Sequence, residues 1–225
     1  MSVERYLRID GANIRCIISD GGESQVEQKP TIVLFHGYSY SADDWSKLGT
    51  INLLSKQGYR VYAIDLPEGR ASRSDRIRFG NVKQYVPILE RIFRDLNLPN
   101  NANGKKLVIV GPSLGGTFAL AYSIAHPEEI AGLVLIAPVV ETIELDNGNL
   151  IVNFDLPRFS AHNIQVLLVW GERDTHFPPS INGTKLNKDI SNSRLVVLEQ
   201  AGHAANIDAP EKFNSLLLDF LRKLR

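Results

Sequence analysis

Gly111-Pro112-Ser113-Leu114-Gly115 sets a serine between small residues, directly after the apolar run Lys106 to Val110 and directly before a helical stretch opening at Leu114. A serine hydroxyl is a weak nucleophile, so chemistry at this position requires a neighbouring base that is itself oriented by a carboxylate. It also requires a sharp strand-to-helix turn that thrusts the side chain outward. Glycines at positions 111 and 115 let strand and helix approach closely enough for such a turn. Pro112 lacks an N–H and fits a point where the last ladder hydrogen bond has already been made. Asp174 closes the segment Trp170 to Asp174 just past a buried run, and His203 follows the next run in Gln200-Ala201-Gly202-His203. The chain order Ser, Asp, His accompanies this kind of elbow. Together Ser113, His203 and Asp174 suit acyl transfer, with serine as nucleophile, histidine as base and aspartate as its orienter.

The other histidines have weaker claims. His36 reads as a hydrogen-bonded structural residue, His126 precedes Pro127 at a helix end, His162 lies in a polar loop, and His176 is so near Asp174 that it would have to fold back. Glu141, after the preceding strand, is the alternative acid, while Glu172 and Asp208 read as surface or capping groups. An oxyanion needs two preorganised donors. The Leu114 N–H at the head of the helix offers one. The Tyr38 N–H, after His36-Gly37 at the end of the run Thr31 to Phe35, offers the other.

These groups must be held by a scaffold, and its pattern is regular. Val3 to Ile9 and Asn13 to Ser19 flank Asp10-Gly11-Ala12 and read as a hairpin. A turn-rich loop over 20–30 follows. Apolar runs of strand length come next, at Thr31 to Phe35, Arg60 to Leu66, Lys106 to Val110, Gly132 to Ile136, Gln165 to Trp170 and Arg194 to Leu198. They lack polar alternation, as expected of strands covered on both faces. Helical stretches separate them, at Asp43 to Gln57, Val82 to Leu96, Leu114 to His126 and Ser180 to Ile190, and a last one spans Glu211 to Leu224. The expectation is an α/β protein, an eight-stranded, mostly parallel sheet with helices on both faces, in one domain over residues 1–225. Ala137 to Ile164, with a turn at Asn147-Gly148, is too short to be a further domain.

Composition removes several classes. With 25 Lys and Arg against 25 Asp and Glu the net charge is zero, so the electrostatic footprint of a nucleic-acid or anionic-membrane binder is missing. A single cysteine, Cys16, can form neither an intramolecular disulfide nor a cysteine-based zinc site. No apolar run reaches the ~20 residues of a membrane span, and the first ten residues carry charges where a signal peptide needs an apolar stretch. A cytoplasmic protein with a small-molecule partner, as a monomer or a homodimer, is the expectation.

The chain resembles the α/β-hydrolase superfamily over almost its whole length. The resemblance rests on His36-Gly37 with Trp45 in the helix that follows, Asp65-Leu66-Pro67, the Gly111 to Gly116 elbow, Gly171-x-x-Asp174, and Gly202-His203 followed by Pro210-Glu211. Within it, the stretch from His36 to Pro67 and the short connection after Ile136 are similar to the small lidless abhydrolase-fourteen group. The resemblance implies the hydrolase fold, a Ser113-His203-Asp174 triad, no metal and no organic cofactor. It also implies a serine hydrolase of the carboxylesterase type acting on an acyl substrate through an acyl-enzyme. A ligand-binding or receptor protein on the same fold is the alternative, as is related triad chemistry such as perhydrolysis, C–C hydrolysis or acyl transfer. Two departures stand out. Relatives continue Asp-Leu-Pro with Gly-x-Gly-x-Ser, where this chain has Glu68-Gly69-Arg70-Ala71-Ser72, and Pro112 replaces the more usual residue before the serine. Arg70, Arg73, Arg76 and Arg78 cluster in that loop with Asp75 among them, open to two readings: a solvated loop or an attraction for anionic substrates.

Overall fold

The computed structural model describes residues 2–21, 29–99, 106–145 and 148–224. Most of the loop read over 20–30, and Asn147 of the expected turn, lie outside the described residues. Strands β1 (Ser2–Ile9) and β2 (Ala12–Ser19) form the expected antiparallel hairpin. Six further strands complete the main sheet: β3 (Thr31–Phe35), β4 (Val61–Ile64), β5 (Leu107–Pro112), β6 (Ile130–Ile136), β9 (Gln165–Gly171) and β10 (Ser193–Leu198). Their order is β1-β2-β4-β3-β5-β6-β9-β10, with β2 antiparallel to β4 and every pair from β4 to β10 parallel.

Alternate residues of each central strand feed two separate cores. Val33, Phe35, Ile109, Leu133, Leu135 and Leu168 pack on one face against α3 (Val86–Asp95) and α4 (Leu114–Ala125). Ile32, Leu34, Val108, Val110, Val134 and Val169 pack on the other, against Trp45 of α1 (Ala42–Lys47), Leu54 of α2 (Thr50–Lys56) and Phe213 and Leu217 of α8 (Pro210–Lys223). Burial of both faces explains why the strands read as continuous apolar runs. Cys16 is buried in β2, and burial pushes its thiol up to about 12, which removes it as a nucleophile.

Three helices differ from expectation. The stretch from Asp43 to Gln57 is two helices, because Gly49 adopts a left-handed φ of 72° between α1 and α2. Val82 to Tyr85 is a 3-10 turn that runs into α3, and a π turn over Pro179–Gly183 precedes α6 (Thr184–Asp189). The segment after β6 holds a two-stranded hairpin, β7 (Ile143–Leu145) with β8 (Gly148–Leu150), and the short α5 (Leu156–Ser160). This is too little to form a lid. A four-residue helix, α7 (Ala205–Asp208), leads into α8.

β4 and β5 flank β3 on opposite sides, so the chain changes its direction of travel across the sheet there. Crevices at such switch points lie beyond the carboxyl ends of the strands. The ends of β3 and β5 are where His36 to Tyr38 and Ser113 stand.

Candidate active site

Ser113 occupies the single residue between β5 and α4, with φ 48° and ψ −120°. A side chain disfavours this conformation, which persists only because its surroundings enforce it. Its N–H donates to Ile136 O at 2.8 Å, joining the turn to β6. A Cβ at Gly115 would lie 2.5 Å from the His36 carbonyl oxygen, and one at Gly111 would lie 2.5 Å from Gly115. Any larger residue would therefore push the helix away from the strands.

The three side chains expected to act together do converge. His203 Nδ1 lies 2.8 Å from Asp174 Oδ2, and His203 Nε2 lies 3.0 Å from Ser113 Oγ. A carboxylate only accepts, so Nδ1 carries the proton and donates it, leaving Nε2 of the neutral ring to accept from the serine hydroxyl. Asp174 is buried just after β9, and its Oδ1 accepts the N–H groups of His176 and Phe177, both at 3.0 Å. His176 does fold back, with its ring 6.0 Å from that of His203, but it meets Asp174 through its backbone. Phe177 covers the imidazole at 5.4 Å between ring centres.

The loops that carry Asp174 and His203 are laced together. Arg173 N–H donates to Ala201 O at 2.8 Å, Gln200 N–H to Glu172 Oε2 at 2.9 Å, and Gly202 N–H to Asp208 Oδ2 at 2.7 Å. Glu172 and Asp208 thus cap two backbone groups in the three residues that precede the histidine. Glu141 instead faces Lys185 at 3.4 Å on the exposed surface.

Gly37 packs against the elbow: a Cβ there would be 3.8 Å from Ser113 Cβ. Among the described residues neither the Tyr38 nor the Leu114 N–H donates to a protein acceptor. His36 is buried behind them. Its Nε2 accepts the Leu66 N–H at 2.8 Å, so the proton sits on Nδ1 and donates to Gly37 O at 2.8 Å. Burial lowers its pKa and keeps it neutral.

One contributor went unread in the sequence. Arg15 is fully buried in β2, with Nη1 on Asp65 Oδ2 at 2.8 Å and Nη2 on both Glu4 and Asp43 at 2.6 Å. Asp65 Oδ1 in turn accepts the Ala42 N–H at 2.7 Å. The network fixes the crossing of β4 with the loop after β3. A charged residue inside an otherwise apolar strand, NIRCIIS, was its signal.

A group that could hold a cation lies elsewhere: ligand atoms of His126, Glu128 and Glu129, past the far end of α4, lie within 4.8 Å of one another. His126 Nε2 already pairs with Glu90 at 2.8 Å.

Residues 30–161 match the family profile described as alpha/beta hydrolase fold. The chain belongs to the α/β-hydrolase fold family. This α/β-hydrolase is 32% identical to mouse ABHD14A over 86% of its own length and 70% of the mouse protein. It is 29% identical to rat ABHD14B over 86% of its own length and 84% of that chain. Among solved structures it is similar to a predicted CIB-like hydrolase of Thermoplasma acidophilum, with TM-score 0.79 and 28% identity over 100% of this chain and 99% of the other. The relationship to the ABHD14 proteins over most of the chain agrees with the resemblance read from its motifs. No helix among the described residues is long and apolar enough to cross a membrane.

Proposed function

We propose that this α/β-hydrolase is a serine esterase that cleaves small acyl substrates through Ser113, His203 and Asp174. The observation that carries the reading is the unbroken hydrogen-bonded chain from Asp174 Oδ2 through His203 to Ser113 Oγ, at 2.8 and 3.0 Å, ending on a serine held at positive φ. His203 Nε2 takes the hydroxyl proton as Oγ attacks the acyl carbon. The Leu114 and Tyr38 N–H groups hold the resulting oxyanion. Collapse expels the alcohol, which leaves with the proton from His203. Water then enters, gives one proton to His203 and adds to the acyl-enzyme, and release of the acid returns that proton to Ser113. Asp174 keeps the imidazole in the Nδ1–H tautomer and stabilises its charged form.

With only a small hairpin and α5 after β6, the site favours short or exposed acyl groups. Rat ABHD14B is by name a candidate protein-lysine deacylase, and the same attack on an amide carbonyl makes acyl-lysine a second substrate class to test. The deciding experiment is labelling with a fluorophosphonate probe, followed by assay on 4-nitrophenyl esters of increasing chain length and on acetyl-lysine peptides, with Ser113→Ala as control. Labelled, active wild type and an inert S113A are expected. Unlabelled wild type overturns the activated serine, and labelling without turnover of any substrate favours a ligand-binding role.

A further inference from the structure

We propose that β1 is a pairing edge for a second copy of this chain: two molecules join antiparallel along it, Tyr6 opposite the partner's Tyr6 and Glu4 opposite the partner's Arg8. The inference stands apart from the esterase reading.

The hairpin decides which backbone groups β1 turns outward. Its turn residues, Asp10 and Gly11, have φ of 50° and 87°, and Ile9 pairs with Ala12 across them. Positive φ at both central residues marks the two-residue type I′ turn, whose flanking residues bond to each other. Bonded pairs then recur at every second residue, so Ile9, Leu7, Arg5 and Val3 bond to Ala12, Ile14, Cys16 and Ile18. The intervening residues of β2 bear out this phase. Asn13 N–H donates to Asp75 Oδ2 at 2.7 Å, Arg15 N–H donates to Ser74 Oγ at 2.8 Å, and Arg15 O accepts the Asp65 N–H at 2.9 Å, all away from β1. The N–H and C=O groups of Glu4, Tyr6 and Arg8 therefore face off the sheet. β1 ends the strand order, and among the described residues no loop or helix bonds to those groups.

Of the devices that blunt a sheet edge, β1 has neither Pro nor Lys, and its eight residues run against β2 without a bulge. Val3 and Tyr6 stand 59% and 52% exposed on it. Its charges are of mixed sign, and their spacing selects a copy of itself as the occupant. A two-fold pair sets one residue opposite its own copy and the others at equal steps on either side. Centring on Glu4, Arg5 or Arg8 puts like charges face to face, and centring on Leu7 puts Glu4 opposite the partner's Asp10. Centring on Tyr6 sets Glu4 opposite the partner's Arg8 twice, both times on residues whose backbone groups face outward. On the other face it covers Val3 with the partner's Ile9. Among the described residues no hydrogen bond or ion pair engages the Arg8 side chain. Glu4 keeps its bond to Arg15 with 46% of its side chain open to a second cation.

The test is sedimentation velocity on the full chain, joined to disulfide trapping. A strand edge buries less than a standard interface, so wild type is expected to dimerise with a Kd of about 1–100 µM. Arg8→Glu turns both cross-strand pairs repulsive and should raise Kd about tenfold or more, while Arg8→Lys changes it less than about threefold. In Tyr6→Cys the paired Cα atoms would lie about 5.5 Å apart, within disulfide reach, whereas in Val3→Cys they would lie about 20 Å apart. Cys16 is buried with its thiol pushed up to about 12, which leaves the introduced cysteine as the reactive one. In a buffer of oxidised and reduced glutathione, Y6C should crosslink at least about tenfold faster than V3C. Melting curves show that each variant is folded. Wild type monomeric to about 500 µM, well above that Kd range, overturns the inference and leaves the edge to a strand of a different protein. A dimer that R8E does not weaken, or in which Y6C and V3C crosslink at equal rates, places the contact elsewhere, such as the opposite edge at β10 with its exposed Val197, and also overturns it.

Discussion

Asp208 Oδ2 accepts the N–H of Gly202 at 2.7 Å, so the residue preceding His203 is tied to the short helix that follows it. The bond makes Asp208 a positioning residue: it touches no reacting atom but limits how far the imidazole loop swings. Asp208→Ala is expected to lower kcat about fivefold with KM little changed, whereas Asp208→Asn, which keeps an acceptor oxygen, retains most of the rate. Steady-state kinetics on 4-nitrophenyl acetate measure the split; equal losses in both variants assign the effect to charge rather than to the bond.

For the acid, Asp174 and Glu141 make opposite forecasts. Asp174→Asn turns the Nδ1 partner into a group that can donate and frees the wrong tautomer, so kcat should drop on the order of 10³- to 10⁴-fold. Glu141→Gln removes a surface ion pair with Lys185 and should change the rate by less than about twofold. A melting curve of each variant separates lost chemistry from lost folding, and the reverse ranking would transfer the role to Glu141.

Gly69 has no room for a methyl group, because the His36 ring that it faces is buried and hydrogen-bonded at both nitrogens. Gly69→Ala should cost about 2 kcal/mol and lower Tm by roughly 5 °C. Gly80, in the same loop, meets nothing within 4 Å of its Cβ position, and Gly80→Ala should leave Tm in place or raise it slightly. Calorimetry on the pair decides whether the loop is docked on His36 as described.

Arg15 neutralises Asp65 inside the protein, so Arg15→Met strands a buried carboxylate and should cost about 3–5 kcal/mol in urea unfolding, part of it regained in the double variant with Asp65→Asn. The same network sets an acid limb. The Arg15 hydrogen bonds hold Glu4 below the usual carboxylate range, and for Asp43 the Arg15 and Arg73 contacts outweigh the upward push of burial. Their contribution is complete above about pH 4 and is lost as pH falls through the lowered folded-state values. His36, its pKa lowered by burial, adds a loss that begins as pH drops below about 6.5. Tm followed from pH 7 to pH 3 should therefore fall in two stages. Arg15→Met flattens the lower stage, and His36→Gln flattens the upper one.

Much of this could be read from the residues. The two-sided burial of the sheet is written in runs such as TIVLF and GLVLI, and the elbow is written in glycines at positions where any Cβ collides. The break at Gly49 was hidden because the amphipathic pattern continues from Trp45 to Leu54 on both sides of it. Arg15 was hidden for a different reason: its three acidic partners stand at positions 4, 43 and 65, and nothing local couples them. The same holds for Glu68, whose carboxylate serves an N–H eleven residues away. Local chemistry is legible in a sequence; a long-range polar pairing becomes visible only when the fold has brought its members together.

The outermost strand of the sheet contributes Glu4 to Arg15, Arg15 grips Asp65, and Asp65 braces the entrance to α1 beside His36. A region that resembles mere edging is thus wired mechanically to the loop that would cradle an oxyanion. Tags, cuts or partners applied to the β1–β2 ribbon would be felt at the opposite end of that linkage, which makes the ribbon a remote handle on the reaction centre rather than a border.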